Sequence, residues 1–140
     1  MIIVLDTNVI ISALLSPSGP PAEIINHWEA DQFEVVTSPP LLSELERVLQ
    51  YPRVKKYLKR PEGEVAEFIT RFRRVATVVE PQLTLEVIEE DPADNRVLEC
   101  AVAGAASYIV TGNDHLLKIK QYKEIVILKP AEFLTLLTLG

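Results

Sequence analysis

The sequence contains one cysteine, Cys100, which excludes an intrachain disulfide and fits a reducing compartment. Cys100 lies in Val97-Leu-Glu-Cys-Ala-Val-Ala, among apolar neighbours at helical spacing, the setting of an inert core thiol. Histidine is almost as scarce: His27 and His115 stand alone, and no His/Cys set has zinc spacing. No basic region precedes the opening Ile2-Ile-Val-Leu, as a signal peptide would require. Every apolar stretch falls far short of the roughly 18 residues that a membrane span needs. Internal repeats, low-complexity tracts and linkers are also missing. These absences lead us to expect one cytoplasmic domain over residues 1–140, with no membrane contact. Hydrophobic residues make up 48% of the chain, enough for one core without staples.

What is present is unevenly distributed. The net charge is −6, yet from Arg47 to Arg74 nine Lys/Arg face three Glu, so that segment carries +6 and the remainder −12. A basic region on an acidic body suits a protein that grips a phosphate backbone on one side and gathers carboxylates elsewhere. An ordinary solvated helical face reads equally well from the charges alone.

Short β-branched runs alternate with helical stretches. Strands are expected at Ile2 to Leu5, Phe33 to Thr37, Thr77 to Glu80, Tyr108 to Thr111 and Glu124 to Leu128. A helix opens at Asp6-Thr7-Asn8. Others are expected from Ala22 to Ala30, after Ser38-Pro-Pro to about Gln50, Arg53 to Arg60, Glu64 to Val75, Asp91-Pro92 to about Ala106, Asn113 to Ile119 and Ala131 to Leu137. This alternation calls for an α/β fold with a parallel sheet covered on both faces. Such sheets place their sites at the carboxyl ends of the strands, where the strand order reverses.

Among twenty acidic residues, the informative ones occupy places where an apolar residue belongs. Leu41, Leu45, Val48 and Leu49 form the inward stripe of their helix, and Glu44 shares that face. A carboxylate there needs a hydrogen bond, a counter-charge or a metal; the plain alternative is an (i, i+3) contact with Arg47. Asp94 precedes Val97 and Leu98 by three and four residues, and so lies on the inward face formed with Ala101 and Ala105. In Asp91-Pro92-Ala93-Asp94, however, either acid can serve the helix N-terminus. Asp6 and Asp114 each follow a strand, where helix capping is the ordinary alternative. Four acids at one sheet edge repel one another unless a divalent cation holds them together. Oxygen-only ligands favour Mg²⁺ or Mn²⁺ over zinc.

The same residues resemble the PIN-domain family over nearly the whole chain. Ile2-Ile-Val-Leu-Asp6-Thr7-Asn8 is similar to its first strand and first acid, and Ser38-Pro-Pro-Leu-Leu-Ser-Glu44-Leu to the segment carrying the second. Asp91-Pro-Ala-Asp94-Asn95 followed by Leu98-Glu-Cys-Ala resembles the third. Val110-Thr111-Gly112-Asn113-Asp114-His115 resembles the fourth, although the acid that usually follows Thr-Gly is Asn113 here. The Asp-Pro-x-Asp-Asn variant with Ile127-Leu128-Lys129-Pro130-x-Glu-Phe resembles the branch that supplies toxins of toxin–antitoxin pairs.

The resemblance implies a five-stranded parallel sheet ordered 3-2-1-4-5. It also implies Mg²⁺- or Mn²⁺-dependent cleavage of RNA by Asp6, Glu44, Asp94 and Asp114, commonly by a homodimer, with a cognate antitoxin as partner. Thr7, Asn8, Thr111 and Asn113 take supporting positions. Arg47, Arg71, Arg73 and Arg74 are candidates for holding RNA. Three rivals compete. A receiver-type phosphoacceptor module would match Lys129-Pro130 but needs an aspartate where Val78-Val79-Glu80-Pro81 stands. A haloacid-type phosphohydrolase needs Asp where Asn8 stands. A PIN-like scaffold that binds without cutting fits the Asn113 departure.

Overall fold

The computed structural model describes residues 1–58 and 60–139. Its chain runs β1 (Ile2–Leu5), α1 (Thr7–Leu15), α2 (Pro20–Glu29), β2 (Glu34–Thr37), α3 (Pro39–Leu49), α4 (Pro52–Tyr57), α5 (Glu62–Val75) and β3 (Thr77–Val78). A 3-10 turn (Pro92–Asp94) leads into α6 (Asn95–Ala103), then β4 (Tyr108–Val110), α7 (Asp114–Leu117), β5 (Gln121–Tyr122), β6 (Ile125–Leu128) and α8 (Pro130–Leu139). No helix among the described residues is long and apolar enough to cross a membrane.

The sheet order is β3-β2-β1-β4-β6-β5. Its five parallel strands follow the expected 3-2-1-4-5 arrangement, with β6 in the place of the fifth strand. The addition is β5, a two-residue antiparallel edge strand beside β6. Lys120 and Lys123, at φ 66° and 53°, bracket it in the left-handed region. Such a tight reversal carries no glycine to announce it.

Strand alternation divides the core in two. Ile3, Leu5, Val35 and Val110 point to one side, where they meet Val9, Ile10, Ile24, Trp28, Phe68, Phe72 and Phe133. Val4, Val36, Ile109 and Ile127 point to the other, against Leu98, Cys100, Ala101 and Leu116. Strands buried on both faces read as unbroken apolar runs for this reason. Helix α3 straddles the division: Leu42, Leu45 and Leu49 belong to the first cluster and Leu41 to the second. It is thereby held at the edge of the sheet.

Several boundaries differ from those expected. β3 stops at Val78, and the chain from Val79 to Asp91 has no regular structure. Helix α6 ends at Ala103 rather than Ala106, with Gly104 as its C-cap. A Cβ on Gly104 would come within 2.8 Å of Val36 Cγ2, so only glycine lets the helix end rest this close to β2. Helix α4 ends at Tyr57; Lys59, within the stretch expected to be helical, lies outside the described residues. Cys100 is fully buried and its thiol is pushed up to about 12 by burial, as an inert core thiol requires.

Candidate active site at the carboxyl edge of the sheet

The parallel register sets Leu5 opposite Val110, so the residues that follow, Asp6 and Thr111, emerge side by side. The strand order reverses between β1 and β4, where a parallel sheet opens its crevice. The Asp6 amide donates to the Val110 carbonyl at 3.0 Å, which fixes the start of the loop. Asp6 is buried, 5% exposed. Its Oδ2 accepts from the Thr111 hydroxyl at 2.7 Å and from Asn8 Nδ2 at 3.2 Å. The other half of the Asn8 amide accepts from the Gly112 N–H at 3.0 Å. Asn8 thus ties the loop after β4 to the acid after β1. Thr7 is buried beside it, and its N–H also serves the Asp6 carboxylate.

These donors do not suffice to keep Asp6 an ordinary carboxylate. Its pKa is raised from 3.8 to about 6. Burial is the main cause; the Thr111 hydrogen bond opposes it, while the charges of Glu44 and, more weakly, Asp94 push it further up. Acids from three elements therefore converge. Glu44 comes from α3, half-buried among Leu41, Leu42, Leu45 and Leu49. Arg47, the alternative partner for Glu44, turns instead to the Tyr51 hydroxyl at 3.3 Å.

Asp94 ends the 3-10 turn. The capping question is decided by the turn itself: Asp91 Oδ1 accepts from the Ala93 N–H at 3.2 Å, whereas Asp94 makes no side-chain cap hydrogen bond. Asp94 instead faces the loop after β4. Its Oδ1 accepts from Asn113 Nδ2 at 3.0 Å, and its Oδ2 lies 3.3 Å from His115 Nδ1. Burial raises its pKa, and the contacts to His115 and Asn113 draw it back.

Asn113 is the N-cap of α7 and accepts from the His115 N–H at 2.8 Å, while its own N–H donates to Thr111 Oγ at 2.9 Å. Asp114, the sequence candidate for the fourth acid, begins α7 and is exposed. Its side chain makes no hydrogen bond among the described residues, and it is not among the charges felt at Asp6. The structure thus brings together Asp6, Glu44, Asp94 and Asn113, and leaves Asp114 to the first turn of a helix.

Two participants escaped the sequence reading. His115 was taken as isolated and meets Asp94. Asn95, 1% exposed, holds the preceding loop: it accepts from the Ile88 N–H at 2.8 Å and donates to the Ile88 and Pro92 carbonyls at 2.9 and 3.2 Å. A buried amide directly after the acid, in Asp94-Asn95, was the signal available for it.

The donor set suits a divalent cation. Asp6 carries repulsion that no cationic side chain offsets among the causes of its shift, and its side-chain donors all fall on Oδ2. No three His, Cys, Asp or Glu side chains among the described residues yet stand within reach of one ion. With Asp94 turned to Asn113 and His115, closing the site around a cation requires its carboxylate to turn.

The basic residues are less free than their sequence implies. Arg71 pairs with Glu29 at 3.0 Å, and Arg73 with Glu46. Arg47 holds Tyr51, and Arg74 is exposed.

A family model described as a PIN domain matches residues 2–115, a stretch that includes every acid named above. The chain is also similar to an uncharacterized protein of Methanocaldococcus jannaschii: the two are 30% identical over 118 residues, which cover 84% of this chain and 74% of that protein.

Proposed function

The chain belongs to the PIN-domain family, whose members are generally nucleases that use divalent metal ions, and on that premise we propose that it is a Mg²⁺- or Mn²⁺-dependent endoribonuclease. The observation that carries this reading is the convergence of Asp6, Glu44 and Asp94, with Asp6 driven to a pKa of about 6 by burial and by its acidic neighbours. Asp6, Glu44 and Asp94 hold the cation. When bound, the cation supplies Lewis-acid activation of water and neutralises charge gathering on the phosphate.

The protein's own groups prepare that reaction. Thr111 and Asn8 fix Asp6 Oδ2, so the carboxylate keeps one orientation. The bond from Gly112 to Asn8 keeps the loop after β4 against the loop after β1. Asn113 and His115 hold Asp94 until the site closes. The segment from Arg47 to Arg74 guides the RNA strand, with Arg74 and Arg47 freer to do so than the paired Arg71 and Arg73. The likeness of the C-terminal segment to toxin sequences places the chain, in our reading, as the toxin of a toxin–antitoxin pair, working as a homodimer in the cytoplasm and restrained by a cognate antitoxin.

Cleavage of a labelled structured RNA by the purified protein tests the proposal. The native protein should cut in Mn²⁺ and not in EDTA. Asp94→Asn should lose about 100-fold or more in rate, on the scale of removing one group that stabilises transition-state charge, with its far-UV spectrum unchanged. If the native protein binds RNA but never cuts it, the scaffold reading replaces this one; Asp94, already satisfied by Asn113 and His115, is the observation that favours that rival.

A further inference from the structure

Closing the ligand set at Asp6, Glu44 and Asp94 leaves one corner unassigned, and the loop after β4 offers three side chains for it. Asn113 is committed at both ends of its amide, to Asp94 Oδ1 and to the His115 N–H. Asp114 is exposed and stands apart. His115 remains, with Nδ1 3.3 Å from Asp94 Oδ2 and a side chain 40% exposed against 12% for Asp94.

That separation is informative. A charge-assisted N–H···O contact normally closes to about 2.7–2.9 Å, so this pair is a loose hydrogen bond. Two neighbouring donors on an octahedral ion, with bonds of roughly 2.1 Å at right angles, stand about 3 Å apart. Asp94 Oδ2 and His115 Nδ1 are therefore spaced as two adjacent ligands of one ion. Resting on the metal-nuclease reading above, we propose that His115 supplies an imidazole nitrogen to the cation, replacing the carboxylate absent at Asn113, and thereby shifts the site's preference from Mg²⁺ to Mn²⁺ and Co²⁺.

The chemistry follows from ligand type. Mg²⁺ demands oxygen donors and sheds its water reluctantly, whereas imidazole favours the first-row transition ions, whose affinity rises from Mn²⁺ through Co²⁺. Exchanging a carboxylate for a neutral nitrogen also removes one negative charge from the set, which weakens the hold on Mg²⁺ most, since its binding is almost wholly electrostatic. Asn113 keeps a part in this arrangement: by capping α7 through the His115 N–H it sets where the imidazole begins.

Metal affinity, read without RNA, tests this. The native protein, His115→Gln and Asp114→Asn are each titrated with Mg²⁺, Mn²⁺ and Co²⁺ by calorimetry, and the Mn²⁺ forms are examined by pulsed electron paramagnetic resonance. The native protein should prefer Mn²⁺ and Co²⁺ to Mg²⁺ by about tenfold or more and show coupling to an imidazole nitrogen. His115→Gln should lose that coupling and at least about tenfold in Mn²⁺ and Co²⁺ affinity, the scale of losing a group that supports the metal, while its Mg²⁺ affinity stays nearly constant. Asp114→Asn should keep the native preference and the nitrogen signal. Metal binding with no nitrogen coupling, or an unaltered Mn²⁺ to Mg²⁺ ratio in His115→Gln, overturns the role of His115 and leaves the nuclease reading standing. A native protein that binds none of the three ions overturns both.

Discussion

Asp6 is where the electrostatics of the site become measurable. Its pKa in the folded protein, about 6, lies above its ordinary 3.8. A carboxyl raised in this way contributes stability that is fully present below pH 4 and is lost as the pH climbs through 6. A shift of about two units corresponds to roughly 3 kcal/mol. In EDTA, urea unfolding should therefore show the native protein losing up to about that much between pH 4 and 7 from this residue. Asp6→Asn, which keeps the shape and removes the charge, should show a correspondingly flatter profile and be the more stable of the two at pH 7. Equal pH slopes in the two proteins would mean that Asp6 is not repelled by Glu44 and Asp94. Sequence spacing made the candidacy of Asp6, Glu44 and Asp94 legible, because each stood at a strand end or on an apolar face. It could not reveal that His115 turns back to Asp94: that contact spans 21 residues and depends on where β4 sets the start of α7.

At the scale of elements, the buried strands were legible because parallel strands covered on both faces must be apolar throughout. Pro39 and Pro40 likewise announced α3, and Asp91-Pro92 the turn before α6. β5 was not legible, since two residues of edge strand carry no periodicity. Nor was the segment from Val79 to Asp91, which earns its order from side chains on α6. Asn95 holds it at Ile88 and Pro92, and Glu99 accepts from the Leu85 N–H at 2.8 Å while pairing with Arg96 at 2.9 Å. Asn95→Ala leaves the buried amide and carbonyl of Ile88 without these partners. Such orphaned groups cost about 1–3 kcal/mol each, so denaturant unfolding should show a loss of roughly 2–4 kcal/mol. The loop that presents Asp94 should also exchange its amide hydrogens faster. A loss below about 0.5 kcal/mol, with exchange unchanged, would show that the segment is held by packing of Ile88 alone.

The whole molecule separates its charges. Acids meet at the carboxyl edge of the sheet, while the basic run from Arg47 to Arg74 occupies α3 to α5, where ion pairs with Glu29 and Glu46 already temper it. Composition showed that unevenness but not the pairing, because both ion pairs join residues distant in sequence. The central claim is that the acidic edge is unfavourable alone and is completed by a divalent cation. A ligand that binds only the folded state adds about 2.7 kcal/mol at a hundredfold excess over Kd, and ~1 kcal/mol moves the melting temperature of a domain this size by about 2–8 °C. The most direct measurement is thermal unfolding of the native protein and Asp6→Asn at pH 7, each in EDTA and in saturating Mn²⁺. Native protein should rise by several degrees with Mn²⁺, whereas Asp6→Asn should start higher in EDTA and respond less. A native protein whose melting temperature is the same in EDTA, Mn²⁺ and Mg²⁺ would contradict the account.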